Sequence, residues 1–284
     1  MKNILKVLLM GSLFITSVMA YSDSDLDGVP DNLDKCPNTP FANLVNKNGC
    51  TIKKLIPVVN YHHYDVMVGA EYLTSNFTSA PKTDTYNATF QVDYYYKNFS
   101  LQASTSYYST DSGDYSDSGM NDSYIGMAYT LYPMKNLSVR LGGGVLLPTY
   151  DTTLNNNNTD YSLSTYVSYS TIKNINLFGS YTYTMINDDD VTVTYADGYS
   201  YTYKYQNTNS WSLGAGRYIS NGFYMSGSYN NTQSVYKGVD DIETLSLYSS
   251  YNLDANWFIT LYYAYGLSDT ASDHDISLKL GYYF

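Results

Sequence analysis

From Tyr61 onward, apolar and polar residues alternate at every second position, and this pattern constrains the fold more than any other feature of the chain. In the first such segment Tyr64, Val66, Val68, Ala70 and Tyr72 share one face, while His63, Asp65, Met67, Gly69 and Glu71 share the other. The last segment sets Ile276, Leu278, Leu280, Tyr282 and Phe284 against Asp275, Ser277, Lys279, Gly281 and Tyr283. A period of two belongs to a β-strand, whose side chains point to opposite faces in turn. The segments run to about ten residues, the length at which a tilted strand crosses a hydrocarbon layer. Tyr closes many of the apolar faces, as expected where rings settle at a lipid–water interface.

The connections alternate between short and long. The short ones are Lys97-Asn98, Pro133–Asn136, Lys173-Asn174, Ser220–Gly222 and Leu253–Asn256. Each holds an Asn, a residue suited to left-handed turn conformations. Lys97, Lys135 and Lys173 recur at a spacing of 38 residues, an internal hairpin repeat. Long polar loops fall around 75–83, 110–120, 150–159, 187–207, 235–240 and 268–273. Five short and six long connections give twelve strands with both ends on one side. The expected fold is therefore all-β: a transmembrane antiparallel up-and-down β-barrel of about 12 strands, its short turns in the periplasm. Fourteen strands are possible, because Val191–Tyr195 and Tyr199–Tyr205 flank Ala196-Asp197-Gly198, a good hairpin turn. Val191–Tyr195 is too short to cross, so the pair reads as a hairpin above the surface. Arg217 falls on the lipid face of this register, which calls for snorkelling or for a bulge.

Composition agrees. Of 284 residues 44% are hydrophobic and 14% charged, and Tyr, at 36, far outnumbers Phe and Trp. A mean hydropathy of −0.31 leaves no room for a bundle of apolar helices. A net charge of −11 without a Lys/Arg cluster argues against nucleic acid as a partner.

Residues 1–20 carry Lys2 and Lys6, an apolar run and the ending Val18-Met19-Ala20, and read as a secretory signal peptide. Residues 21–50 read as a small module. Counting from Asp23 as the first position of a twelve-residue loop, Asp23, Asp25, Asp27, Asp31 and Asp34 occupy the ligand positions of a calcium site. Gly28 stands where such a loop turns sharply, and Val29 offers its backbone carbonyl. The segment Asp23–Cys50 resembles a thrombospondin type 3 repeat, on Asp-x-Asp-x-Asp-Gly-x-x-Asp-x-x-Asp-x-Cys-Pro closed by Asn48-Gly49-Cys50. That resemblance implies bound calcium and oxidised cysteines. Cys36 and Cys50 are the only two cysteines, and a secreted chain is expected to pair them. Similar repeats link barrels to peptidoglycan-binding domains, whereas this one comes first and stands alone. Residues 51–60 read as a linker and 61–284 as the barrel. With the short turns in the periplasm, the calcium module is expected there too, with a periplasmic partner possible.

The chain ends on Phe284, preceded at alternate positions by Tyr282, Leu280 and Leu278. This looks like the C-terminal signal read by the bacterial barrel-assembly machinery, which implies that machinery as a partner and the Gram-negative outer membrane, with its lipid and lipopolysaccharide, as the site. A further stretch, Asn121-Asp122-Ser-Tyr124-Ile-Gly126-Met-Ala-Tyr129 followed by Leu141-Gly-Gly-Gly144-Val-Leu-Leu-Pro148-Thr149, resembles the outer-membrane family associated with phenol meta-pathway operons. Members are presumed channels for small, often aromatic compounds. The inward positions expected here are mainly Ser, Thr, Tyr, Asn, Gln and Gly, such as Gln91, Gln102, Ser104, Ser164, Tyr166, Asn176 and Thr182. Charged lumen candidates are Asp65, Glu71, Asp93, Arg140 and Lys279, with Lys279 expected to pair with Asp65 or Glu71. No ring of one sign is evident, as a strong ion selector would need. The expected function is a narrow channel for passive uptake of small neutral or amphipathic solutes. The alternatives are a structural or adhesive surface barrel, and a barrel hydrolase using His274 with neighbouring Asp273 and Asp275 at the outer rim. No catalytic residue is assigned, and calcium is the only cofactor expected.

Overall fold

The computed structural model describes residues 23–25, 29–39, 43–54, 61–76, 81–113, 115–150, 157–171, 175–194 and 198–284. The signal segment 1–20, Asp27, Gly28, residues 55–60 of the linker, the Lys173-Asn174 turn and Ala196-Asp197 lie outside them. The chain divides into two compact units, residues 1–60 and 61–284.

In the first unit β1 (Asn43–Val45) pairs antiparallel with β2 (Thr51–Lys54). The hairpin carries regular structure past Cys50 into the stretch read as linker. Cys36 and Cys50 form a disulfide with Cα atoms 5.1 Å apart. Thr39 is buried, its Oγ1 2.8 Å from the carbonyl oxygens of both Cys36 and Gly49. A unit this small has little apolar area to bury, so a covalent staple replaces a core.

The second unit contains β3 (His62–Ser75), β4 (Thr83–Tyr96), β5 (Phe99–Asp111), β6 (Ser116–Met120), β7 (Ser123–Met134), β8 (Leu137–Leu147), β9 (Asp160–Ser170) and β10 (Ile175–Met185). It continues with β11 (Val191–Thr194), β12 (Ser200–Tyr203), β13 (Thr208–Ser220), β14 (Phe223–Thr232), β15 (Ile242–Asn252), β16 (Trp257–Gly266) and β17 (His274–Tyr283). Twelve of these strands form a closed antiparallel ring. Each pairs with its neighbour in sequence, and β17 pairs with β3 to shut the barrel, Leu280 opposite Val68 and Leu278 opposite Ala70. The Phe284 N–H donates to the Tyr64 carbonyl, extending the closing seam to the end of the chain. Among the described residues β11 and β12 pair only with each other, so they form a separate hairpin and the barrel has twelve strands, not fourteen.

Alternation is inverted relative to a water-soluble core. Val68, Leu213 and Leu278 stand on the outer face at 52%, 61% and 54% exposure, whereas inward Asp93 and Ser277 are 6% exposed. No large side chain is fully buried among the described residues.

Two expectations are corrected. The stretch 110–120 is not simply a loop: β5 runs on to Asp111 and pairs with β6, so this hairpin rises beyond the ring. The extension is set off from β7 by Asn121-Asp122, where pairing to β5 breaks and resumes at Tyr124. At the first short turn the left-handed residue is Lys97 (φ 54°), not Asn98. The Lys97 ammonium lies 5.0 Å and 5.3 Å from the ring centres of Tyr61 and Tyr96, contacts that accompany the disfavoured backbone. Arg217 does stand in the outward register, opposite Met225 and Ile175, but the register shifts immediately beyond it, between Tyr218 and Ser220. At the last short turn, backbone N–H groups of Trp257 and Asn256 hold the Asp254 carboxyl below its usual range.

The alternation makes adjacent positions energetically unequal. Leu278→Arg is expected to cost about 2–4 kcal/mol when unfolding is followed in lipid vesicles, as for a cation at mid-membrane on the lipid face. Lys279→Met, one residue further and facing inward, is expected to change stability far less. Equal losses from both would contradict the register.

Candidate functional site: the lumen

The inward rows follow from the register. On the β3/β4 wall Asp65 faces Asp93, Met67 faces Gln91, Gly69 faces Thr89 and Glu71 faces Asn87. Asp65, Glu71, Asp93 and Lys279 line one cavity of about 470 Å³ together with Tyr95 and Tyr262. Gln91 Nε2 donates to Asp93 Oδ2 at 2.7 Å. Further out, Asn87 Nδ2 donates to Glu71 Oε2 at 2.6 Å, and Asn121 Nδ2 reaches Ser106 Oγ at 2.8 Å and Asn87 Oδ1 at 3.3 Å. The interruption at Asn121-Asp122 thus feeds a side-chain amide into a polar chain that crosses β3, β4 and β5.

Lys279 forms no ion pair with Asp65 or Glu71; among the described residues the one ion pair is Lys82–Asp84. The register explains why. Lys279 sits opposite Gly69, Glu71 opposite Ser277 and Asp65 opposite Tyr283, so both carboxylates are displaced along the seam rather than abreast. Asp275 also belongs to the inward row, opposite Leu73 and diagonal to Glu71, and its Oδ1 is buried without a hydrogen-bond partner. Alternation alone places Asp275 on the polar face but does not mark it as a lumen charge, because it is next to the rim.

Arg140 occupies a different wall. It stands on β8 opposite Thr130 and Tyr166, and its Nη2 donates to Ser100 Oγ at 2.9 Å, reaching past β7 to β5. It lines a cavity of about 500 Å³ with Ser100, Gln102, Tyr124, Ser164 and Tyr166. Glycines make room for the rings of this wall. A Cβ on Gly126 or on Gly144 would collide with the Tyr124 ring, and Gly281 is covered in the same way by Phe258. The sequence signal for these close approaches is present in Gly142-Gly143-Gly144, but which ring covers which glycine depends on register.

The histidines separate. His274 is exposed in the outward row, its Nδ1 3.0 Å from Tyr263 Oη and its ring against Tyr265, whereas Asp275 faces inward. Adjacent residues on opposite faces of a strand cannot form an acid–base pair. His63 stacks on Tyr283 inside the lumen, with ring centres 5.3 Å apart.

In the first unit Asp25 Oδ2 accepts the Thr39 N–H at 2.6 Å, Asp34 Oδ1 accepts the Cys36 N–H at 2.8 Å, and Asp31 accepts the Ser24 N–H and hydroxyl at 2.7 and 2.8 Å. Asp23 and Val29 are also among the described residues, and Asp27 is not. Among the described residues no group of three or more His, Cys, Asp or Glu is gathered as metal ligands. The donor set is nonetheless all oxygen, the chemistry a hard divalent cation takes.

No protein-family model matches the sequence, and no curated protein matches it. The fold does have solved counterparts. It is similar to the COG4313 outer membrane channel from Pseudomonas putida F1, with a TM-score of 0.66 at 9% identity, covering 80% of this chain and 97% of that one. It also matches the NanC porin (TM-score 0.49, 15% identity, 78% and 98% covered) and the CymD monoaromatic hydrocarbon channel (0.45, 13%, 81% and 90%). At these identities the likeness is one of fold, a closed antiparallel β-barrel.

The ring-over-glycine packing is testable. Gly144→Val is expected to destabilise the barrel by about 1–3 kcal/mol, the usual cost of overpacking. Adding Tyr124→Ala should recover much of that loss in urea unfolding from vesicles, and an additive double variant would refute the contact.

Proposed function

We propose that this chain is an outer-membrane barrel of a Gram-negative bacterium that acts as a passive channel for small neutral or amphipathic solutes, carrying a calcium-binding thrombospondin type 3-like module on its periplasmic side. The observation that carries the channel reading is the closed twelve-stranded wall with an apolar outer face and an inner face of hydroxyls, amides and rings around cavities. Eight-stranded barrels are filled by side chains and sixteen-stranded ones hold open water channels; twelve strands give a lumen between these. The fold likeness to an outer-membrane channel is consistent with it. Inward charges of both signs, Asp65, Glu71, Asp93 and Asp275 with Arg140 and Lys279, do not make a ring of one sign, which favours neutral cargo over a selected ion. The opposed faces of His274 and Asp275 weigh against hydrolysis at the rim.

Purified protein in planar bilayers is expected to open in discrete conductance steps and to speed uptake of uncharged solutes into liposomes. Silent bilayers together with unchanged uptake would overturn the channel and leave a structural or adhesive surface barrel.

The calcium reading rests on Asp23, Asp25, Asp27, Asp31, Asp34 and the Val29 carbonyl as ligands, with the Cys36–Cys50 disulfide closing the module beside them. Calorimetry on chelator-treated full-length protein is expected to record Ca²⁺ binding that Asp27→Ala with Asp34→Ala abolishes. Undiminished heat in that double variant would refute the ligand set.

A further inference from the structure

The lumen wall is chemically divided, and one part of it is unusually uniform. Strands β9, β10, β13, β14 and β15 are consecutive neighbours in the ring. Asp160 and Ile242 stand at the outer ends of β9 and β15; between them and the short turns the inward positions are the even-numbered residues of 162–170, 176–184, 210–218, 224–232 and 244–252. Every one of these is Ser, Thr, Asn, Gly, Tyr or Phe. Neither a charge nor an aliphatic side chain occurs among them, whereas the lumen charges stand on β3, β4, β8 and β17 and, at the outer end of β9, at Asp160.

The rings on this neutral sector lie close together. Tyr166 and Phe178 stack with centroids 6.0 Å apart and planes 25° from parallel. Tyr224 lies 5.2 Å from Tyr218 and 6.5 Å from Tyr248. Tyr166, Tyr218 and Tyr224 line one cavity of about 490 Å³, with Ser170, Asn176 and the outward-register Arg217 completing its border. These residues sit near the short turns, at the end of the barrel proposed as periplasmic.

We infer that this sector is a binding track for neutral pyranose sugars, the rings taking the sugar's C–H faces and the surrounding hydroxyls and amides its hydroxyl groups. The inference rests on the channel reading and narrows its solute class. A pyranose with equatorial hydroxyls has an apolar face of axial C–H bonds and a polar edge, and a site for it needs flat rings bordered by hydrogen-bonding groups. That is the composition found here. An aromatic hydrocarbon would need apolar enclosure around its whole rim, because polar groups left facing it lose their hydrogen bonds to water. An ionic solute would need opposite charge along the inward rows of the sector. A ligand pocket ordinarily combines apolar surface with a few placed polar groups, and here the rings alone supply the apolar part.

Cellobiose is the probe, with phenol as its competitor class. In planar bilayers cellobiose is expected to reduce the wild-type conductance in a saturable way. Tyr166→Ser with Tyr224→Ser should raise the open conductance, since two rings leave the lumen, and should weaken the cellobiose effect by about tenfold, the worth of two ring contacts. Tyr166→Phe with Tyr224→Phe keeps both rings and should retain the effect, which also guards against a serine variant that does not fold. Saturable block by phenol without block by cellobiose, or cellobiose block unchanged in the folded serine variant, overturns the inference. Saturation-transfer NMR in detergent separates the two readings. Transfer to cellobiose from a wild-type protein that does not conduct, abolished by the serine pair, would sustain the track and refute the channel.

Discussion

The structure depends on the pairing of β17 with β3. A strand in hydrocarbon has no water to satisfy its N–H and C=O groups, and each group left open costs several kcal/mol. An open sheet of twelve strands would expose two such edges; joining last to first removes both. The seam therefore fixes the rest: the strand number must be even for the ends to meet antiparallel, and the chain must return to the side where it began. The closing ladder runs from His274 opposite Thr74 to Tyr283 opposite Asp65, and Phe284 adds one more hydrogen bond to Tyr64. The aromatic end of the chain is thus a structural part of the seam.

Once the ring is closed, a side-chain period of two divides every strand between two solvents. Outside, Val68, Phe90 and Leu278 meet an apolar phase; inside, Asp65, Gln91 and Lys279 meet a polar one. The closed wall leaves limited room within, so an inward ring must lie along the wall. Gly126 and Gly144 under Tyr124, and Gly281 under Phe258, provide that space. The glycine content of strands such as β8 is then a packing requirement, since any side chain at Gly144 would push the Tyr124 ring from the wall.

The strand pattern was legible because it depends only on neighbours two residues apart. The outward faces of the first and last segments, the twelve crossings and the separate 191–203 hairpin all follow from local alternation and connection length. Lateral contacts were not legible. Lys279 was expected beside Asp65 or Glu71 on the argument that the first and last strands are adjacent, but adjacency does not set the offset, and the register puts Gly69 abreast of it. The extension of β5 by β6 was hidden because Ser116, Asp117 and Ser118 put polar side chains on both faces, leaving Met120 as the one apolar residue of the segment. Lys97 in a left-handed turn was missed because the expectation followed residue preference, whereas the neighbouring rings of Tyr61 and Tyr96 supply a specific partner for its ammonium.

The division of the lumen has a physical consequence for any solute within it. Asp65 and Asp93 face each other across β3 and β4, an arrangement that repels when both are charged. The cations of the lumen, Lys279 and Arg140, are on β17 and β8, on either side of this pair rather than bound to it. Such a field orients water and polar groups without neutralising into ion pairs. Across from it the even positions of β9 to β15 carry no charge between Asp160, at the outer end of β9, and the short turns, so a neutral solute there displaces water from rings and hydroxyls without stripping the hydration of an ion. Desolvating a charge costs far more than desolvating a hydroxyl that regains a partner. In the proposed channel the least costly place for a neutral solute is therefore along the uncharged stretch of this sector.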